Sequence, residues 1–255
     1  MQSFRGFKNS QINKHNKKEE RSLKKILCTI CARAGSKGLK NKNIINFFNK
    51  PLIYYTIRQA KLSRQFTNIV VSTNSKKIFK LAKKYGADCW YLRSKKLSND
   101  YASKVDVIID TLINSEKKFK IRYDLIMDLD VTSPLRNVQD IKKSIKLLKN
   151  KKKNFLISVN DSKKNPYFNM VESKKNNTVQ FIKKGIRKIR YNRRQDTPKT
   201  YDINASMYLW KRKTLLNSFR FFPKKTILYK MPIERSWDID TKIDLKLVKF
   251  FKKNI

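Results

Sequence analysis

From about residue 24 onward, short apolar runs of strand length alternate with longer basic stretches whose apolar residues recur at helical spacing. ILCTIC (26–31) runs into a glycine loop and predicts a buried strand. Pro51 suits the first turn of a helix over LIYYTIRQAKL. NIVVST (68–73) predicts a second strand, and SKKIFKLAKKYG a helix with Ser75 as N-cap and Gly86 as its stop. CWYL (89–92) reads as a third strand, SKVDVIIDTLINSEKKF as a helix opened by Ser103, and DLIMDLD (124–130) as a fourth strand. VQDIKKSIKLLKN then predicts a helix, and FLISVN (155–160), ASMYLWK and TILYKM predict further strands. TKIDLKLVKFFKK closes the chain as an amphipathic helix with Thr241 near its start. This alternation predicts an α/β fold with a mostly parallel sheet and helices on both faces. The pattern breaks between Asn165 and Asp202, so a single domain over 24–255 carries an inserted lobe at about 161–204. Residues 1–23 lack apolar periodicity and predict a disordered basic extension.

Composition narrows the class. The 255 residues include 62 Lys plus Arg and 19 Asp plus Glu, a formal charge of 62 − 19 = +43, and 40% are apolar, enough for a core. No run approaches the roughly 18 apolar residues needed to cross a bilayer, and residues 1–25 lack the apolar core of a secretion signal, which argues against membrane and export. Three cysteines and the single His15 are too few for a disulfide framework or a Cys/His zinc cluster, so a reducing cytoplasm fits. Cys28 and Cys31 match C-x-x-C by letter, but i and i+3 point to opposite faces of a strand, which makes them core thiols. The excess charge suggests a polyanion, and a basic nucleic-acid-binding protein is the alternative function. Against it, Lys is spread along the whole chain with Asn and Ile, as compositional bias would spread it, and no nucleic-acid module is visible.

Four segments carry candidate chemistry. In Ala32-Arg33-Ala34-Gly35-Ser36-Lys37-Gly38 and on to Lys42-Asn43, small residues let backbone N–H groups approach an anion while Arg33, Lys37 and Lys42 supply charge, as a di- or triphosphate requires. Neither the Walker A nor the G-x-G-x-x-G spacing is present, and a tight turn with solvated lysines reads equally well. Asp128 and Asp130 share one face at a strand's carboxyl end, where open parallel sheets bind ligands; they suit Mg²⁺ or a ribose, or Thr132-Ser133-Pro134 simply starts the next helix. Asp238-Ile239-Asp240 is an acidic pair in a basic chain, placed to bind Mg²⁺ with substrate phosphates, to cap the last helix, or both. Arg194, Gln195, Asn204 and Tyr208 bring bidentate cations, amides and a phenol suited to an acidic sugar, or form a charged loop entering a strand.

In this order, ILCTICARAGSKGLKNKNI, DLDVTSPLR, NPYFN, RRQDTPKTYDINASMY and DIDTKIDL resemble the acylneuraminate cytidylyltransferase family, most closely its legionaminic-acid branch, over about residues 25–252. The resemblance implies a Rossmann-like nucleotide-diphospho-sugar transferase fold. It implies a homodimer whose inserted lobe, used for dimerisation and sugar binding, reaches the partner's site. It also implies a Mg²⁺-dependent reaction of CTP with a nine-carbon acidic 2-keto sugar of legionaminic, neuraminic or pseudaminic type; an eight-carbon keto-acid sugar is a further alternative. Carried over, Ala32, Arg33, Gly35, Ser36, Lys37, Lys42 and Asn43 bind CTP, with Arg33, Lys37 and Lys42 catalytic, and Asp130 stands where many members have a nucleotide-contacting Gln. Arg194, Gln195, Asn204 and Tyr208 hold the sugar, and Asp238 and Asp240 the metal. The chain departs from the pattern at Ala34 and Ala205, where Gly is common, and at Asn74, where Asp is common.

Overall fold

The computed structural model describes residues 24–35, 38–150, 153–183, 191–217, 223 and 225–254. The proposed extension, residues 1–23, lies outside them. Strand β1 (Ile26–Cys31) is buried along nearly its whole length and lies between β4 (Asn68–Ser72) and β5 (Leu125–Leu129), parallel to both. Beyond β5, β9 (Tyr201–Lys211) runs antiparallel, followed by β6 (Phe155–Asp161) and β10 (Thr226–Lys230), which pair in parallel. The six-stranded sheet therefore has the order β10-β6-β9-β5-β1-β4, with every strand but β9 pointing one way. Small hairpins, β2 (Asn46–Phe47) with β3 (Lys50–Pro51) and β7 (Val171–Ser173) with β8 (Val179–Phe181), stand outside it.

Apolar side chains cover both faces of the sheet. On one face Ile26, Cys28, Ile30, Met127 and Leu129 pack with residues of α1 (Leu52–Ser63), α2 (Lys76–Lys84), α4 (Val138–Asn150) and α6 (Lys242–Asn254). On the other, Leu27, Ile126, Phe155, Tyr208 and Trp210 pack with α3 (Lys104–Phe119) and the short α5 (Arg212–Leu216). The alternation of successive β1 residues between the two clusters is the period-two geometry of a strand covered on both sides. It also separates Cys28 from Cys31: all three cysteines are free, and burial pushes the thiols of Cys28 and Cys31 well above their ordinary range, so they stay neutral.

The expected helix boundaries hold where a cap was visible. The Ser75 hydroxyl accepts the Ile78 N–H at 3.3 Å, Ser103 accepts that of Val105 at 3.2 Å, and Gly86 ends α2 at φ +79°. Helix α4 begins later than Thr132-Ser133-Pro134 would place it. Asn137 and Asp140 exchange side-chain bonds with each other's N–H, both at 2.9 Å, a reciprocal cap of the capping-box kind.

One strand was misplaced. Residues 89–92 are not a strand: Asp88 alone bridges to Val70, and the Arg93 N–H reaches the Thr73 carbonyl at 2.8 Å. Between those points the aromatics turn to side-chain packing, Trp90 lying edge-on to Phe119 at 5.2 Å, so apolar content that suggested a ladder serves a cluster instead.

β9 carries the fold's main irregularity. Its register against β6 slips between Ile157 and Val159, and Ala205 sits there at φ +52°, a left-handed backbone that a Cβ disfavours by about 1–2 kcal/mol. Ser158 fills the bulge, donating to Asn204 Oδ1 at 2.6 Å and accepting the Met207 N–H at 2.8 Å. Ala205→Gly should therefore raise the urea midpoint, a gain of about 1 kcal/mol once the glycine's extra unfolded-state freedom is subtracted. A lowered midpoint would show that the backbone is relaxed as it stands.

Candidate active site

The carboxyl ends of β1, β4, β5 and β6 meet the start of antiparallel β9 along one edge of the sheet, and the candidate residues gather there. The loop after β1 is tied down on both sides. The Ala32 N–H donates to the Ser72 carbonyl at 3.0 Å and the Ala34 N–H to Asn74 Oδ1 at 2.8 Å, while Asn43 Nδ2 returns to the Arg33 carbonyl at 2.9 Å. Asn74 thus does through its side-chain oxygen what Asp would do at this position. Gly35 turns the chain at φ +84°, a conformation glycine adopts without penalty, and Ala34 keeps a negative φ. Arg33 is ion-paired to Asp100 at 2.7 Å, its guanidinium about one-third exposed. Ser36 and Lys37 lie outside the described residues.

The acidic turn meets this loop from the far end of the sequence. Lys42 Nζ sits 2.5 Å from Asp240 Oδ1, and a Cβ on Gly38 would stand 2.7 Å from the Asp240 carbonyl oxygen. The turn is rigid for a local reason. Thr241 and Asp244 form a capping box at the start of α6, the Thr241 hydroxyl accepting the Asp244 N–H at 3.2 Å. The Asp244 carboxylate in turn accepts the Thr241 and Asp240 N–H groups at 2.7 and 3.1 Å. Ile239 bonds back to the Thr132 carbonyl at 3.0 Å, which joins the acidic turn to the end of β5.

Asp238 is the unusual group. Its Oδ1 is buried with no hydrogen-bond partner, and burial, reinforced by the negative charge of nearby Asp130 and partly offset by Thr132, pushes its carboxyl up to about 6. Asp240, by contrast, is 65% exposed. A carboxylate short of positive charge beside a second, open carboxylate is a donor set suited to a hard cation that completes its shell with substrate phosphates. Among the described residues no cluster of three or more His, Cys, Asp or Glu side chains is set to hold a metal.

Asp128 and Asp130 are committed elsewhere. Lys104, the first residue of α3, lies 3.0 Å from Asp128 Oδ2 and 2.7 Å from Asp130 Oδ2, and its ammonium stands 4.9 Å from the centre of the Tyr208 ring. Thr29 donates to Asp128 at 2.8 Å, and the Thr132 hydroxyl and N–H donate to Asp130. Burial alone would lower the Lys104 pKa, but the two carboxylates outweigh it and hold the ammonium well above its ordinary range. Burial would likewise raise Asp130; the adjacent Lys104 wins and holds it well below.

The four sugar candidates separate. Tyr208 borders the Lys104 cluster, and burial pushes its phenol up to about 12. Asn204 is buried in the β9 bulge, with Nδ2 on Ser236 Oγ at 3.1 Å, so it shapes the strand from inside. Arg194 and Gln195 line a different cavity of about 560 Å³ with Asp161, Asn165 and Lys230, and Arg194 donates to the Ser162 carbonyl at 2.5 Å.

Three cations escaped the sequence reading. Lys104 reads there as an ordinary first residue of a helix. Arg93 is buried, its Nε donating to Ser98 at 3.3 Å beside the Arg33 contact. Arg136, 1% exposed, donates through Nη1 to the Ser206 carbonyl at 2.6 Å and through Nη2 to Gln59 at 3.1 Å and the Asp130 carbonyl at 3.3 Å. In so basic a chain, nothing local distinguishes a buried cation from a solvated one.

The chain is similar to several known proteins. The post-translational flagellin modification protein B of Campylobacter coli is 41% identical over 91% of this chain and 96% of its own length. CMP-N,N'-diacetyllegionaminic acid synthase of Campylobacter jejuni is 42% identical over 89% of this chain and 95% of its own. Among solved structures, CMP:2-keto-3-deoxy-manno-octonic acid synthetase complexed with CTP superimposes with a TM-score of 0.64 at 15% identity, covering 90% of this chain and 99% of that one, which establishes a common fold. The family model described as Cytidylyltransferase matches residues 27–254, from β1 through α6, and the chain belongs to that family.

Proposed function

We propose that this cytidylyltransferase joins CMP from CTP to the anomeric hydroxyl of a nine-carbon acidic 2-keto sugar, of legionaminic type before neuraminic or pseudaminic, and releases pyrophosphate. The observation that carries the reading is the closure of the cationic loop on the acidic turn through Lys42 and Asp240. It sets phosphate-binding and cation-binding groups side by side, as transfer from a nucleoside triphosphate requires. The identity to a legionaminic acid synthase supports the sugar class.

In this reading the sugar hydroxyl oxygen attacks the α-phosphorus in line as its proton passes to solvent, and the bond from that phosphorus to the oxygen bridging α and β breaks, its electron pair leaving with pyrophosphate. The protein contributes position and charge rather than covalent chemistry. Arg33, Lys42 and the Lys37 of the same loop neutralise the leaving pyrophosphate, and Ala32, Gly35, Ser36 and Asn43 bind the CTP. Asp238 and Asp240 would hold Mg²⁺, which supplies charge neutralisation at the triphosphate when bound. Asp130, fixed by Lys104, borders the nucleotide, and Tyr208 the sugar; Asn204 positions the strand between them. Arg194 and Gln195 belong to the inserted lobe. There the hairpin exposes Val171 and Val179 at 53% and 62%, an apolar surface in keeping with a homodimer in which the lobe serves a partner's crevice. Sedimentation as a monomer at working concentration would remove the dimer from this reading.

The direct test is CTP and Mg²⁺ with legionaminic, pseudaminic and neuraminic acids and the eight-carbon keto-acid sugar, following pyrophosphate. Release with the nine-carbon acids is expected; silence with all of them overturns the assignment, and a preference for the eight-carbon acid reassigns the sugar. Gly38→Ala should lower turnover by at least about tenfold while the fold survives. The added methyl must push the loop off the acidic turn, at a stability cost of about 1–3 kcal/mol by denaturant titration. Turnover equal to the wild type would show that the contact is not needed. Asp238 must lose its proton to bind a cation. As pH falls below about 6, the Mg²⁺ concentration giving half-maximal rate should rise, approaching about tenfold per pH unit, and Asp238→Asn should abolish this dependence along with most turnover. A half-maximal concentration constant from pH 7 to 5 would free Asp238 from the metal.

A further inference from the structure

A second cavity, of about 370 Å³, opens beside the α1 helix and the turn leading into α4, and no residue of the cationic loop or the acidic turn lines it. Its lining includes Arg58, Arg136, Arg235 and Lys252 and not one carboxylate. Arg136 is the telling member. Its two terminal nitrogens spend their bonds on carbonyl, hydroxyl and amide oxygens of Thr56, Gln59, Asp130 and Ser206, none of them charged, and its buried Nε has no partner. A guanidinium taken out of water with no carboxylate in direct contact is costly in general; burial pushes this one down to about 10 against the pull of the carboxylates of Asp130, Asp140 and Asp128 further off. Arg235 is paired, giving Nε and Nη2 to Asp140 at 3.2 and 2.8 Å. Arg58 and Lys252 are exposed and pair with no described carboxylate. Asn137 and Val138, at the positive end of the thirteen-residue α4, complete the wall.

We infer that this cavity is a second anion site, taking the phosphate group of a small ligand at a place separate from the crevice of the proposed transfer reaction. Four cations converge from four stretches of the chain, and three of them, Arg58, Arg136 and Lys252, pair with no described carboxylate, which calls for more than one negative charge; guanidinium forks match phosphate oxygens in pairs. The volume accommodates a phosphate and a modest organic remainder. Arg136 connects the site to the crevice, because the same side chain holds the carbonyls of Asp130 and Ser206 on the crevice wall.

The test is calorimetric titration of inorganic phosphate into the full chain, without magnesium and at about 0.15 M salt to screen diffuse surface charge. Two variants separate the sites: Lys42→Ala in the crevice, and Arg58→Gln with Lys252→Gln in the cavity. Phosphate should bind the wild type, keep its affinity within about twofold in Lys42→Ala, and weaken by at least about tenfold in the double variant. The double variant should transfer CMP at the wild-type rate, so failure of this site and failure of the proposed reaction are read separately. CMP that displaces phosphate from the Lys42→Ala protein would identify a nucleotide as the source of the phosphate group, and CMP that does not would leave free phosphate or a non-nucleotide ester. Unchanged affinity in the double variant, or no heat with any form, overturns the inference.

Discussion

The contact between the glycine loop and the acidic turn makes one crevice out of two loops, because their residues are 198 positions apart and nothing local relates them. Three features cooperate in it. Gly38 removes the side chain that would block the approach, Lys42 supplies the attraction, and the Thr241–Asp244 cap freezes the turn so that the Asp240 carbonyl and carboxylate face the loop at once. The ion pair alone is half open to water and of the kind worth at most about 1 kcal/mol. Its role is to fix register, while the hydrogen bond from Ile239 to Thr132 and the packing of α6 carry the turn to its place.

Around that contact, charge is sorted by burial more than by count. The chain has a large positive excess, yet the floor of the crevice holds Asp128, Asp130 and Asp238, with Lys104 as the cation that touches two of them. Surface lysines are screened within about 8–10 Å in physiological salt, so most of the +43 does not reach the crevice floor. What remains is local: Lys104 satisfies Asp128 and Asp130, leaving Asp238 beside their negative charge without a cation of its own. The arrangement leaves a deficit of positive charge at Asp238, which the proposed reaction would fill with the counter-ion of a triphosphate.

Much of this architecture was legible because the alternation of apolar runs and helical faces is written locally. The caps at Ser75, Ser103 and Thr241 and the stop at Gly86 are single-residue signals with a direct backbone consequence. The strand expected at 89–92 failed because apolar content cannot say whether a side chain faces a ladder or an aromatic cluster, and Trp90 chose the cluster. The two small hairpins were missed as well. They turn through Phe48 and Asn49, and through Asn176 and Asn177, in left-handed conformations that their letters only weakly announce. At the site, residue types revealed the loop and the acidic pair, and their meeting follows from chemistry alone, since both suit one magnesium-bound triphosphate; the Lys42–Asp240 contact brings them together. Lys104 and Arg136 were not legible, since a lysine or arginine among 62 carries no mark of burial.

Arg136 and Ala205 lie at the end of β9 that borders the crevice. The bulge in β9 is on its β6 side, while on its β5 side the ladder runs on without a break. The Ser206 carbonyl accepts the Asp130 N–H at 3.1 Å as the rung after Leu129 and Met207, and takes Arg136 Nη1 at 2.6 Å as a second donor. The left-handed Ala205 is the local cost of the bulge, and Ser158 and Asn204 fill the gap it opens. By bonding the Asp130 and Ser206 carbonyls from behind, the buried guanidinium ties together the ends of β5 and β9 where their ladder stops. A strained backbone and an under-compensated cation are each unfavourable alone, and both stand at the strand end that the candidate residues share.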